Sequence, residues 1–432
     1  MTTWFDITEY GAVDGTICTE AMQAAFDAAD AVGGTVVVPK GTFITGTVNM
    51  RGASLYLKKG AVVKGSGNIE DYPDFGFVHN EMKQTFSLLY SIDHDNIRIY
   101  GEGTIDLNGS AFFYFDQRDV PASFPELSKE QLEECTVKYE VRPTQPIFFL
   151  RCNHVRLEGV TILDSSNWTL SFNDCENLHL TDLYIRTNPV IPNNDGMHFC
   201  GCRHVFVRGC DIVSGDDCIA LSGITDWNIP CEDVVISDCI LTCSSKAIVL
   251  GYMHSVVRNV LISNCIIKDS HRGLCIMSST KTGLVEHVLV ENLRIETRVR
   301  AGNWWGNGEP ICIYALHHNN ENYLHAVPNR DWDVSIQDVH IKNISCVGEN
   351  AIAVVGDQGS VQDVFLDGIN YKRKAAGNVV LKGKGRIDVS PANEVVVASD
   401  DAWILIQGCK NVQTRNVLAV DEQGELLKEY IL

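Results

Sequence analysis

The chain alternates apolar and polar residues in short runs, and one such run recurs along most of its length. A polar residue is followed by Val or Leu and then by an alternating stretch: "NHVRLEGV", "ENLHLTDL", "RHVFVRGC", "EDVVISDC", "RNVLISNC", "EHVLVENL", "QDVHIKNI", "QDVFLDGI" and "KNVQTRNV". The anchoring residues are Val155, Leu178, Val205, Val234, Val260, Val288, Val339, Val364 and Val412, separated by 23, 27, 29, 26, 28, 51, 25 and 48 residues. Counting the two long gaps as two units each gives a period near 26. Within a unit the periodicity is two and β-branched, with Gly, Asn, Asp and Ser between runs, which predicts short strands joined by turns. No unit carries a helical pattern long enough for a helical repeat, and a propeller blade needs about 40–45 residues. The pattern therefore predicts an all-β fold, a parallel β-helix whose coils stack about 4.8 Å apart.

An open coil exposes unpaired backbone, so such a stack needs closed ends. "TEAMQAAFDAADA" at 19–31 puts Met22, Ala25, Phe26 and Ala29 on one helical stripe and predicts an N-terminal capping helix. Residues 113–145 break the rhythm with charge and Pro, predicting an inserted loop or short helix over one face. No linker composition divides the chain. It reads as a single domain over 1–432: cap and first coils in 1–100, the insertion at 113–145, and main coils with a C-terminal cap in 146–432.

Composition narrows the partners. Of 432 residues 45% are hydrophobic, enough for a large core, and the net charge of −20 argues against nucleic acid or an anionic membrane as partner. The N-terminus "MTTWFDITEYGA" lacks a basic stretch followed by an apolar run, and no apolar stretch reaches spanning length. Sixteen cysteines are scattered through strand-like segments, which fits buried free thiols; "CGC" at 200–202 reads as strand positions, not a metal pair. A cytoplasmic location is expected, with no cofactor.

Stacking the coils gives the acidic residues a meaning. Aligning "SNWTLSF", "NNDGMHF", "GDDCIAL", "SKAIVLG", "RGLCIMS" and "GEPICIY" places Trp168, Asp195, Asp216/Asp217, Lys246 and Arg272 in one column. The groove this predicts is aromatic at one end, acidic in the middle and basic at the other. Neighbouring carboxylates repel, so one is expected to stay protonated while another ionises, the pairing that acid–base cleavage of a glycosidic bond uses. A separation of about 6.5–9.5 Å leaves room for the attacking water and inverts configuration. Two other readings stand beside this one: Asp as a plain turn residue, and an Asp-rich Ca²⁺ site.

"FDITEYGAVDGT", "GGTVVVPKGTFITGTVNM", "LYLKKGAVVKGS", "DYP" and "RPTQPIFFLRCNHVRLEGVTILDSSNWTL", with "PNNDG" and "SGDDC", resemble glycoside hydrolase family 28, the polygalacturonase family. That resemblance implies a right-handed parallel β-helix and hydrolysis of pectin-derived or related oligosaccharides. It implies Asp216 as general acid, with Asp195 and Asp217 activating water; Asn194 stands where the family has Thr. Asn193 joins Lys246, His271, Arg272, Trp304 and Trp305 as substrate-binding candidates, with Glu309 and Tyr314 nearby. The family's Gly-His-Gly is replaced by "SKAIVLG", with Lys246 near the histidine position. Its Arg-Ile-Lys falls on "RGLCIMS", with Cys275 and Met277 at the basic places. The acidic motifs thus imply the reaction, while a neutral or rhamnose-containing glycoside remains open as substrate. A lyase or epimerase and a non-catalytic sugar-binding solenoid are the other classes. Exo-action on short fragments fits a cytoplasmic enzyme best.

Overall fold

The computed structural model describes residues 3–78, 83–122, 124, 126–224, 228–317, 331–377 and 400–432. A typical coil contributes three strands, as in Asn153–Glu158, Thr161–Leu163 and Leu170–Asn173. The first two columns form a 22-stranded sheet and the third a 12-stranded sheet, all of the ladder pairings being parallel between coils. All nine anchors stand in one line, from Val155 opposite Leu178 to Val364 opposite Val412. This is the right-handed parallel β-helix, with apolar side chains pointing into a continuous core. Inside it Phe149, Phe172 and Phe199 stack on successive coils at centroid spacings of 5.1 and 5.2 Å.

The polar residue before each anchor turns out to be a corner. His154, Asn177, His204, Asp233, Asn259, His287, Asp338, Asp363 and Asn411 all have left-handed backbone, with φ between 48° and 58°. Five residues on, a second corner does the same, through Gly159, Asp182, Gly209 or Asp238, for example. Asn, Asp and Gly tolerate this conformation where branched residues do not, which is why polar residues punctuate the runs. The corner side chains also bond up the stack: Asn259 Nδ2 donates to Asp233 Oδ1 at 3.0 Å, and Asn177 Nδ2 to Asn153 Oδ1 at 2.8 Å.

Two expectations of the repeat count are corrected. Val288 pairs directly with Val339 and Val364 with Val412, so the gaps of 51 and 48 residues are one coil each, not two. The surplus chain leaves the ladder as excursions, because a solenoid fixes the register of its strands and not the length of its turns. Residues 318–330 and 378–399, in these excursions, lie outside the described residues.

The predicted cap is the helix Thr19–Asp30, with Met22, Ala25, Phe26 and Ala29 buried on the first coils. The buried side chains of Met22 and Phe26 each contribute roughly 1.5–3 kcal/mol, and the two alanines less. At the other end the stack finishes in the exposed strand Lys428–Ile431, with no helix over it among the described residues. The insertion is an antiparallel hairpin of Phe113–Arg118 with Val137–Tyr139, and a short helix Lys129–Glu134 between them; residues 123 and 125 lie outside the described set. Fifteen of the sixteen cysteines are buried and Cys409 is half-buried, all as free thiols. No described helix is long and apolar enough to cross a membrane.

Candidate active site

The twelve-stranded sheet carries the predicted column. Ile147, Leu170, Met197, Ile219, Ile248 and Leu274 stand opposite one another on successive coils. Two residues before each lie Gln145, Trp168, Asp195, Asp217, Lys246 and Arg272, and Lys246 faces Arg272 directly. The column extends one coil further to Glu309, two before Ile311. Its turns are tight. A Cβ on Gly196 would come within 2.5 Å of Cys218 O, and one on Gly215 within 2.4 Å of Ile191 O. Close backbone approach therefore requires glycine beside Asp195 and Asp216.

A cleft opens over this sheet, lined by Asn193, Asp195, Asp216, Asp217, Lys246, Trp168 and Trp305. The three aspartates are 4%, 6% and 7% exposed. Lys246 holds Asp217 from two sides: its backbone N–H donates to Oδ1 at 3.3 Å, and its Nζ lies 3.3 Å from Oδ2. The Trp305 ring sits 5.8 Å from the same ammonium. Asn193, in left-handed backbone, accepts from Arg142 Nη2 at 2.9 Å. Asn194, where the family has Thr, braces the turn by donating to Ser165 O at 3.1 Å and Asn188 O at 3.3 Å.

Two residues absent from the sequence reading belong here. His198 packs its ring 3.8 Å from that of Trp168, with Nδ1 3.2 Å from Asp195 Oδ2 and Nε2 3.3 Å from Ser222 Oγ. Burial, reinforced by the Lys246 charge and opposed by Asp216, pushes its pKa down to about 3. Arg142, at the end of the insertion, is buried behind Asn193; burial pushes its pKa down to about 10 against the pull of Tyr139, Asp216 and Asp195. The signal for His198 was present in "NDGMHF", where a histidine follows the aspartate by three residues on a short strand.

Other candidates are placed elsewhere. Arg272 forms a two-bond pair with Glu309, at 3.0 and 3.3 Å, with both side chains 1% exposed. Tyr314 Oη and the Asn307 N–H also donate to Glu309, at 3.2 and 2.7 Å. The basic end expected of the groove is thus a buried, neutralised pair. His271 is sealed beneath the Gly306 turn, and burial with Arg272, Arg300 and Arg298 nearby holds its pKa well below the usual histidine range. Trp304 is buried and donates to Glu134 O at 2.9 Å, so it anchors the insertion and does not face the cleft. Cys275 and Met277 are buried in an apolar cluster with Val249 and Tyr314. No three His, Cys, Asp or Glu side chains are placed to hold a metal ion among the described residues.

The cleft has a built wall. The hairpin of the insertion meets the turn before Asp195 through Val137 N–H to Val190 O, at 3.0 Å, and through the Phe113–Val137–Ile191 cluster. The helix Lys129–Glu134 clasps the other rim: Glu134 accepts from Ala301 N–H at 3.1 Å and pairs with Arg298 at 2.6 Å.

The fold is a parallel β-helix whose cleft gathers three carboxylates from adjacent coils. The model of glycosyl hydrolases family 28 matches residues 29–379, and the chain belongs to that family. It is 26% identical to an exo-poly-alpha-D-galacturonosidase of Dickeya chrysanthemi over 83% of its own length, and spans 65% of that protein. It is 25% identical to an exopolygalacturonase of Zea mays, with 87% of this chain and 85% of that one aligned. The structure of a hyperthermoactive exopolygalacturonase from Thermotoga maritima shares the fold, with a TM-score of 0.70 at 19% identity, covering 96% of this chain and 91% of that one.

Proposed function

We propose that the cleft hydrolyses glycosidic bonds of pectin-derived oligosaccharides by single displacement with inversion, releasing sugar from a chain end. The carrying observation is three buried aspartates, contributed by adjacent coils, lining one cleft beside a paired lysine. In this reading Asp216 protonates the leaving oxygen, while Asp217, paired with Lys246, and Asp195 hold and deprotonate the water. The dry, low-dielectric surroundings make each of these charge interactions stronger than in water.

Exo-action is supported by the short reach of the cleft. Among the described residues its lining ends at the Lys246–Gly251 coil with Tyr252 and Trp305, beyond which the column continues as the sealed Arg272–Glu309 pair. Trp305 stands at that end and supplies an apolar face for a sugar ring. Relatives named exopolygalacturonase point the same way. We place the enzyme in the cytoplasm, where short imported fragments and not intact polymer would be its substrates.

The test is mass-spectrometric product analysis on a panel of pectic oligosaccharides, with Asp216→Asn as blank. Single terminal sugars released with inverted anomeric configuration are expected. Unsaturated products absorbing in the ultraviolet would make the protein a lyase, and mixed internal fragments would make it endo-acting.

A further inference from the structure

Ser222, His198 and Asp195 stand in a row: Ser222 Oγ is 3.3 Å from His198 Nε2, and His198 Nδ1 is 3.2 Å from Asp195 Oδ2. All three are buried and all three line the cleft. The order hydroxyl, imidazole, carboxylate is that of a nucleophilic serine triad, so that role must be weighed first. In such a triad the imidazole takes the serine proton and needs a pKa near the working pH. His198 shares the cleft with Asp195 from its own coil, Asp216 and Asp217 from the next and Lys246 one coil on. Burial and Lys246 outweigh the aspartates and leave the ring at about 3, too weak a base to activate a hydroxyl.

A neutral imidazole carries one N–H, and its neighbours decide where. An ionised carboxylate only accepts, so the nitrogen toward Asp195 must carry the hydrogen. Nε2 is then an acceptor, and the Ser222 hydroxyl is the donor that suits it; the other neighbour of that hydroxyl, Cys200 Sγ at 3.4 Å, is a weak acceptor. Trp168 fixes the ring plane from the side.

We propose that His198 is a positioning residue: a neutral imidazole, its tautomer set by the acceptor-only carboxylate and matched by the Ser222 hydroxyl at Nε2, whose Nδ1–H orients Asp195 toward the attacking water. The proposal rests on the hydrolase reading above. A neutral donor fixes Asp195 without adding a charge to the cleft, which a lysine or arginine at the same place could not do.

The experiment compares His198→Ala, His198→Phe, His198→Asn and Ser222→Ala on the oligosaccharide best cleaved by the wild type. His198→Asn keeps an N–H near the Nδ1 place, whereas His198→Phe keeps the ring's bulk and stacking alone. Expected are losses in kcat of roughly 10- to 100-fold for Ala and Phe, with KM changed less than about threefold, and recovery of most of that loss in Asn. Ser222→Ala, the mildest change to packing, is expected to lower kcat by roughly threefold to tenfold. Recovery by Phe and not by Asn would make the role one of packing and overturn the proposal. A nitrogen NMR spectrum of labelled histidine in the intact protein gives a reading independent of turnover. Neutral His198 protonated on Nδ1 from pH 5 to 8 supports it; the other tautomer, or an imidazolium in that range, overturns it. Activity of the wild type with insensitive His198 variants refutes this inference alone, whereas a wild type cleaving nothing on the panel refutes the hydrolase reading.

Discussion

Aspartate does two different jobs on neighbouring parts of the same coils. At the corners, Asp233, Asp238 and Asp338 have left-handed backbone, and their side chains are 44%, 44% and 46% exposed. In the cleft the Asp195 and Asp217 side chains are 5% and 10% exposed and Asp216 is buried, and none of the three belongs to the left-handed set. A corner needs a residue that tolerates an unusual backbone, and Asn or Gly serves as well as Asp. In the proposed reaction the cleft needs the carboxylate itself, at the cost of burying it. Spacing alone does not tell the two apart; burial together with backbone conformation does.

The contrast is tested most severely by removing a single charge. Asp216→Asn is expected to lower turnover by about 10³-fold or more while circular dichroism and melting temperature stay near wild type. Lys246→Met leaves the Asp217 carboxylate buried without its cation. It should cost about 100-fold in kcat/KM, move the acid limb of the pH–rate profile to higher pH, and lower stability in denaturant by about 3 kcal/mol. A limb that stays in place would remove Asp217 from the base role.

His198 supplies a prediction in pH and stability. The folded ring titrates at about 3 and the free side chain at 6.5, so between those values the unfolded chain binds a proton that the folded one refuses. Its contribution is therefore complete above pH 6.5 and falls as the solution is acidified. From pH 6.5 to 5, the wild type should lose about 2 kcal/mol more than His198→Asn, measured by urea unfolding at each pH. The smallest effect belongs to the corners. Asp238→Asn should leave kcat unchanged and stability within about 0.5 kcal/mol, since asparagine accepts the same backbone and the pair with Arg208 is exposed.

Much of this was legible in the sequence because a solenoid turns spacing into position. The anchors from Val155 to Val412 and the column from Trp168 to Arg272 follow from the repeat, and the structure aligns both. The cap stripe of Met22, Ala25, Phe26 and Ala29 was equally readable, since one helix face buries against one coil end. What escaped depended on partners far away in the chain. Arg272 looked like a cation of the groove until Glu309, 37 residues on, was found to neutralise it. Trp304 looked like a sugar platform until Glu134 was found to hold its indole N–H. His198 was overlooked because it lies off the column, where a strand residue reads as ordinary packing. The two long gaps were miscounted because an excursion leaves no mark on the period.

The clasp between the helix Lys129–Glu134 and the 298–305 loop has a consequence for how the molecule is made. From Val155 on, most successive coils join residues some 23 to 29 positions apart and the two longest join residues 48 and 51 apart, whereas Trp304 reaches back 170 positions to Glu134. Contacts of short sequence separation form early, and distant ones wait for the chain between them to be in place. The stack can thus be complete while one rim of the cleft still hangs open. On this view the chain becomes a rod first and a cutting tool last, and conditions that loosen the rim should silence the protein well before they unfold it.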